Sequence, residues 1–248
     1  MCRYTVASIL ILVLGFSSCK KDIPADQVQE KFGNVLVRIN NVFGERELKL
    51  DSVYNFPGGE RIRFSNVSYF IGKLRLKQEE NDISVPEPYI LSRATQPLYS
   101  VGKMKTGMYE GIKFDLGLDS LTNHSDPSLR PPGHPLGFQL QSMHWGWNTG
   151  YIFLMIEGTA DVSGTGEGPF DRNILYHVGG NLLYRPDIEL PNNFEVKADQ
   201  DNVVEIRIDF GKVFDGVNLN TQNLTMTFDN YQLARLIFDN FRISVQNQ

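Results

Sequence analysis

The side chains most able to do chemistry cluster in the segment SMHWGWNTGY, residues 142–151. This segment contains both tryptophans of the chain, Trp145 and Trp147, together with Met143 and His144. Imidazole is a strong ligand for Cu(II) and thioether sulfur favours Cu(I), so these residue types indicate copper as the metal. If the segment is extended, Met143 and the two tryptophans lie on one face and His144 on the other. Side chains of one face could therefore bind a metal ion together, but side chains of both faces hardly could.

The other imidazoles of the chain belong to His124, His134 and His177. His177 lies in the apolar run at 174–178, which predicts a strand that could approach the Trp segment. A lone histidine on such a strand is more often a hydrogen-bonded core residue than a ligand. Trp, Met and Tyr beside glycines are likewise more often core and turn residues. Spacing alone favours this structural interpretation, and a metal site stays a hypothesis.

The sequence contains none of the motifs of nucleotide-binding loops, nucleophile elbows or zinc proteases. No pair of carboxylates stands out as a general acid and base. Asp115, Asp119, Asn123 and Asp126 offer oxygen ligands for calcium, but they lack EF-hand spacing and are more typical of turns. The net charge of -5, without a basic cluster, argues against a nucleic-acid partner. We therefore expect no catalytic activity of the chain's own. An enzyme ranks third, after the two functions described below, and a metal-dependent one is the form that the sequence leaves open.

Strands must position these side chains, because apolar residues recur at every second position through much of the chain. The clearest examples are residues 35–40 and 61–65. Clusters of Gly and Pro separate the apolar runs. Many strands with turn clusters between them predict an all-β fold, a β-sandwich of antiparallel strands. Further strands are predicted at 67–76, 88–91, 109–118, 151–157, 174–178, 194–197 and 203–210.

One segment, residues 227–241, departs from this pattern. Tyr231, Ala234, Phe238 and Phe241 recur there at spacings of three and four. This spacing predicts a short C-terminal amphipathic helix whose apolar face packs on the sheet.

The amino terminus is predicted to be an export signal. Its apolar stretch at residues 5–16 is shorter than the about 20 residues that cross a bilayer as a helix, which favours cleavage. Two serines followed by Cys19 resemble the lipobox of bacterial lipoproteins, so we expect a lipid on the Cys19 thiol. A plain secretory signal with an unmodified Cys19 is the alternative. The predicted segments are 1–18 as the lipoprotein signal peptide, 19–32 as the lipidated Cys and tether, and 33–248 as the folded domain.

Several blocks, in order, resemble the MbnP-like family of bacterial cell-envelope proteins, named for the periplasmic protein of methanobactin operons. The blocks are NVFG at 41–44, VSYFIGKL at 67–74, IKFDLGLD at 112–119, MHWGWNTGYIF at 143–153 and YHVG at 176–179. Together they cover most of the mature chain. Their combination is far more specific than any single block.

The resemblance implies a β-sandwich, an exported location and copper binding by histidines. It also implies a tryptophan that is oxidised to kynurenine by a partner, a dihaem peroxidase-like enzyme. On this chain, His177 matches the His-x-Gly block of the family, and Trp145 or Trp147 is the candidate for oxidation.

The chain departs from the family pattern in its first strand. Some copper-binding relatives carry a histidine there, whereas this chain has Asn40 and Asn41. A missing imidazole would weaken the site or remove it. His144 could replace it only if it faces the same side as His177.

Two functions from different classes are thus open. The leading hypothesis is a membrane-anchored lipoprotein of the cell envelope that binds copper without catalysis, with His177, His144, Trp145, Trp147 and Met143 as site residues. The alternative is an envelope interaction module that keeps the fold without a metal site and binds a protein or glycan. In that case the long loop at 119–137, which has no strand period, would carry the function.

Overall fold

The alternating apolar residues near the start of the domain form a strand, β1, which spans Phe32–Phe43. Val35, Val37 and Ile39 are buried, whereas the side chains between them are partly exposed. Because side chains on a strand alternate between its two faces, the apolar set of β1 points into one core.

The computed structural model describes residues 30–146 and 148–247. The predicted signal peptide, Cys19, most of the tether and Trp147 lie outside the described residues, so the domain boundaries stay predictions. The described residues from 31 onwards form one compact unit. Among the described residues, no helix is both long and apolar enough to cross a bilayer.

The described residues contain mainly strands, with few helices. The strands after β1 are β2 (Arg46–Glu47), β3 (Val53–Asn55), β4 (Arg61–Gln78), β5 (Asn81–Ser84), β6 (Ile90–Arg93), β7 (Leu98–Lys105), β8 (Gly107–Leu116), β9 (His144–Gly146), β10 (Gly150–Asp161), β11 (Arg172–Gly179), β12 (Arg185–Val196), β13 (Asp201–Asp209), β14 (Leu224–Thr225) and β15 (Val245–Asn247). The helices are α1 (Ser120–Asn123), α2 (Phe210–Val213) and α3 (Tyr231–Ser244), with 3-10 turns at Pro127–Leu129 and Asn181–Leu183.

Within the described residues these strands form two sheets. The smaller sheet has the order β15-β13-β1-β2, and β7 also pairs with β1. The larger sheet has the order β12-β8-β4-β10-β11-β14, with β3, β5 and β6 against β4 and β9 against β10. The predicted β-sandwich is confirmed.

The strand pairing is mixed, whereas the sequence pattern predicted antiparallel strands. β1 runs parallel to β13, and β11 runs parallel to β14. A parallel pair requires a crossover connection rather than a hairpin, and residues 44–200 separate β1 from β13. Such a long-range pairing leaves no mark in local periodicity.

Strand β4 organises the larger sheet because it is long enough for two partners along one edge. Residues 61–69 of β4 pair with β10, and residues 71–77 pair with β8. The end of β8 and the start of β10 therefore meet near the middle of β4. The chain that connects them leaves the sheet at this point.

Residues 119–146 of that connection form a layer that we call the lid. The lid lies against the face of the larger sheet that points away from the sandwich core. Its hydrogen bonds hold it there: the Tyr151 hydroxyl donates to the carbonyl of Leu136 at 2.6 Å, and Arg93 donates to Gln139 at 3.3 Å. The backbone N–H of Ile152 donates to the carbonyl of Met143 at 2.9 Å.

The predicted C-terminal helix is present as α3, and it begins four residues later than predicted. Asn230 caps it by accepting a hydrogen bond from the N–H of Leu233 at 3.2 Å. The helix does not start at Thr227, because the side-chain hydroxyl of Thr227 forms hydrogen bonds with the edge of β11 instead. Phe241 of α3 is fully buried, as predicted.

Candidate metal centre

His177 lies on the outer face of the larger sheet, beneath the edge of the lid. In β11 its neighbours Tyr176 and Val178 are fully buried in the core, so His177 points the other way. It stands opposite Met155 of β10, which in turn stands opposite Ser68 of β4. These three side chains form a row across the outer face.

Glu157 holds the His177 imidazole. Its Oε1 lies 2.7 Å from Nε2 of His177, and the His177 side chain is only 13 % exposed. The other carboxylate oxygen accepts hydrogen bonds from the amides of Asn66, at 3.5 Å, and Gln141, at 3.3 Å. Glu157 is thus fixed by the sheet on one side and by the lid on the other.

This contact determines which nitrogen of His177 can bind a metal. A carboxylate accepts hydrogen bonds, so in the neutral ring the proton lies on Nε2 and the lone pair on Nδ1. Histidines that bind metals commonly donate their second N–H to a carboxylate in this way. The nitrogen of His177 with a free lone pair is therefore Nδ1.

Trp145 packs over the same strand. A Cβ atom added at Gly179 would lie 2.5 Å from the carbonyl oxygen of Tyr151 and 3.0 Å from Cζ3 of Trp145, so glycine admits both the neighbouring strand and the indole at this position. The Trp145 ring also lies 6.1 Å from the ring of Phe228. Gly179 is two residues beyond His177 and shares its face of β11 by alternation. The structure therefore brings Trp145 and His177 to one region.

His144 also lies over the outer face. Its ring packs edge-on against Tyr151 at 4.6 Å, and the Tyr151 ring packs edge-on against Phe70 at 5.5 Å. Phe70 alternates with Ser68 on β4, so it belongs to the face that carries His177. His144 thus packs, through Tyr151, on a residue of the face that carries His177.

The Nε2 atom of His144 is buried, and it has no hydrogen-bond partner among the described residues. A buried polar atom without a partner costs free energy, so a native structure usually supplies one. Burial lowers the pKa of His144, the nearby His124 adds to this effect, and Asp126 opposes it. The ring is thus neutral at pH 7, with a lone pair available to a ligand.

Two thioethers accompany these imidazoles. Met143 and Met155 are both buried, at 2 % and 3 % exposure. Within residues 30–146 and 148–247, no group of three or more His, Cys, Asp or Glu side chains is arranged to hold a metal ion. The donors present are an oriented imidazole, a buried imidazole with an unpartnered nitrogen, and thioethers. This donor chemistry fits copper better than calcium or magnesium.

The remaining histidines, His124 and His134, have other contacts within the protein. His124 ends helix α1, with its Nε2 3.2 Å from the amide of Asn181. Nδ1 of His134 accepts a hydrogen bond from the N–H of Leu136 at 3.0 Å. Asp119 and Asp126 cap α1 and the following 3-10 turn, which confirms their interpretation as turn residues.

Comparison with protein-family models gives a match to MbnP over residues 32–228. The chain belongs to the MbnP family. Among solved structures, MbnP from Methylosinus trichosporium is similar, with a TM-score of 0.51 and 19 % sequence identity over 75 % of this chain and 78 % of that one. No curated protein matches the sequence.

Asn40 and Asn41 stand in the first strand, where some MbnP relatives are expected to carry a histidine. Each asparagine forms a hydrogen bond within the protein. Asn41 is buried and accepts a hydrogen bond from the Tyr69 hydroxyl at 2.7 Å. Asn40 donates to Glu205 at 3.0 Å. Each side chain is thus held by a neighbour in the protein.

Sequence analysis of this MbnP chain did not identify Glu157 or Met155 as candidate site residues. Both lie in the apolar strand that follows the Trp segment, where a methionine and a single carboxylate give no distinct signal. Only the register of β10 against β11 places Met155 opposite His177.

Proposed function

We propose that this MbnP-family chain is a lipoprotein of the bacterial cell envelope that binds copper and has no catalytic activity of its own. In this proposal it is exported by its signal peptide and anchored to a periplasmic or outer-membrane face through a lipid on Cys19. The observation that carries the copper site is the 2.7 Å contact between Glu157 and Nε2 of His177. This contact leaves Nδ1 of His177 as the atom that would coordinate copper, as in many metal-bound histidines.

His144 is the proposed second imidazole ligand, supported by its buried and unpartnered Nε2. Met143, Trp145 and Trp147 are further candidate site residues, although Trp145 alternates with His144 along β9 and points to the opposite face of that strand. Thioether sulfur would favour the Cu(I) state.

We further propose that Trp145 or Trp147 is oxidised to kynurenine by a partner of the dihaem peroxidase class. Trp145 is half-buried beside Phe228, which is 64 % exposed and lines a cavity of about 360 Å³. A partner could therefore approach the Trp145 side of the site from solvent. Intact-mass analysis of protein from the native membrane, followed by peptide mapping, tests this step.

The test of copper binding uses purified protein from residue 20 onwards, loaded with Cu(I) or Cu(II) and then desalted. We expect one copper per chain in the wild type and none in His177→Ala. His134→Ala is the matched control, because it removes an imidazole that lies elsewhere in the lid. Circular dichroism confirms that each variant is folded.

Two outcomes would count against the site. Copper retained by His177→Ala would exclude His177 as an essential ligand. A folded wild-type chain that holds no copper, whether produced alone or taken from the native membrane, would contradict the proposal as a whole.

A second candidate function is the interaction module without metal. Four apolar side chains of the lid, each more than three quarters exposed, favour it: Leu121, Leu129, Phe138 and Leu140. If this function is correct, Trp145→Phe and His177→Gln lower the melting temperature, and neither the wild type nor the variants bind copper. Loss of copper binding at an unchanged melting temperature would exclude it.

A further inference from the structure

A cavity of about 470 Å³ opens between the lid and the strands β6 and β7. Here the chain crosses from the larger sheet to the smaller one, because β6 pairs with β4 and β7 pairs with β1. Arg93, the last residue of β6, lines this cavity. None of the proposed copper ligands is among its lining residues.

Arg93 brings a positive charge into the cavity wall. Its Nη1 donates to the Ser68 hydroxyl at 3.3 Å, and its Nη2 donates to the Gln139 side-chain oxygen at 3.3 Å. Both acceptors are neutral, and among the described residues no carboxylate forms an ion pair with Arg93. A guanidinium has five N–H donors, so three remain after these two contacts.

The geometry of this guanidinium is fixed before any ligand arrives. The amide of Gln139 donates to the carbonyls of His134 and Gly137, both at 3.1 Å, which orients its oxygen towards Arg93. A positioned planar guanidinium suits a carboxylate, because the two groups can form parallel hydrogen bonds.

His134 supplies a second donor on the cavity wall. Burial lowers its pKa, Arg130 adds to this effect, and Glu87 opposes it, so the ring is neutral at pH 7. Its Nδ1 accepts the Leu136 N–H, and the ring proton therefore lies on Nε2.

Part of the remaining wall is suited to an apolar group, because Leu91, Tyr89 and Tyr99 line the cavity beside these polar donors. The exposed carboxylate of Glu87 and the polar side chains of Gln96 and Ser100 also line it. A wall that combines apolar side chains with a few oriented polar groups suits small organic ligands.

We propose that this cavity binds a small organic carboxylate, with Arg93 and His134 donating to the carboxylate and the apolar wall holding its hydrocarbon part. The lining of the cavity contains no proposed copper ligand, and the proposal does not depend on copper binding. An anion without an apolar part, such as phosphate, would contact the polar donors but not the apolar side chains of the wall.

The test is isothermal titration of metal-free purified protein with benzoate, and with benzamide and inorganic phosphate as comparison ligands. We expect saturable benzoate binding, with much weaker binding of benzamide, which lacks the charge, and of phosphate. Arg93→Gln should weaken benzoate binding about tenfold or more, because it removes a charge-assisted contact. Arg93→Lys, which keeps the positive charge, should weaken benzoate binding less than Arg93→Gln.

Arg235→Gln is the matched control, because Arg235 lies on the exposed side of α3 and pairs only with Asp239 among the described residues. It should bind benzoate like the wild type. The melting temperature without ligand shows that each variant is folded. Benzoate binding that is absent in the wild type, unchanged in a folded Arg93→Gln variant, or weaker than phosphate binding would overturn the proposal. None of these results bears on copper, because the metal is absent from the assay.

Discussion

Replacing Glu157 by glutamine would reverse the tautomer of His177. In the wild type, Oε2 of Glu157 accepts from two amide groups, those of Asn66 and Gln141, while Oε1 contacts Nε2 of His177 at 2.7 Å. A glutamine has a single oxygen, and the two amide donors would keep that oxygen at the Oε2 position. Its NH2 group would then face Nε2 of His177, which must accept. The ring proton would move to Nδ1, the atom proposed to bind copper.

The expected cost is specific to metal binding. Losing the partner that orients a metal-bound histidine typically lowers affinity by about 10- to 100-fold. The free energy of unfolding should fall by only about 1 kcal/mol, because a neutral hydrogen bond replaces a charge-assisted one. Competition with a chromophoric Cu(I) chelator measures the affinity, and urea denaturation measures the stability. Glu195→Gln is the control, because Glu195 is an exposed carboxylate that pairs with Lys197.

The tautomer itself can be measured without copper. Nitrogen-15 NMR of the metal-free protein should show the His177 proton on Nε2 in the wild type and on Nδ1 in Glu157→Gln. A His177 proton that stays on Nε2 in the variant would refute the reasoning about the carboxylate. Unchanged copper affinity despite a reversed tautomer would refute Nδ1 as the ligand atom.

Three further predictions concern the lid and the core. Tyr151→Phe removes the 2.6 Å hydrogen bond to the carbonyl of Leu136, and it should lower the free energy of unfolding by about 1 kcal/mol in urea denaturation. Phe241→Ala empties a fully buried site and should cost about 3–5 kcal/mol, measured in the same way, so a loss below about 1 kcal/mol would contradict the packing of α3. Burial lowers the pKa of His144, so its NMR titration midpoint should lie below about 6.5. The unfolded chain takes up this proton first, so the His144 contribution to stability should be constant above about pH 6.5 and fall as the pH decreases.

The local patterns of the sequence predicted most of the strands and the helix. Val35, Val37 and Ile39 alternate because one face of β1 lies against the core, and such alternation is visible without any partner strand. The start of α3 was less predictable. Thr227 fits the end of a helical pattern, but its hydroxyl accepts from the N–H of Gly179 and donates to the carbonyl of His177. This contact with a distant strand keeps Thr227 out of the helix, which begins four residues later.

The candidate site was predictable in its residue types and not in its arrangement. His144 and His177 are the histidines of the two most specific blocks, so sequence alone identified them. Whether they face the same side depended on how residues 119–146 cross the outer face of the sheet. The role of Glu157 depended on the register of β10 against β11.

The sequence by itself determined the family, the strand-rich sandwich and the residue types that could bind a metal, because periodicity and ordered blocks are local properties of the chain. Tertiary structure alone decided the parallel pairing of β1 with β13, the meeting of β8 and β10 along β4, and the folding of the lid over His177. These features depend on contacts between residues far apart in sequence, whose free energy comes from burial and register rather than from local conformational preference.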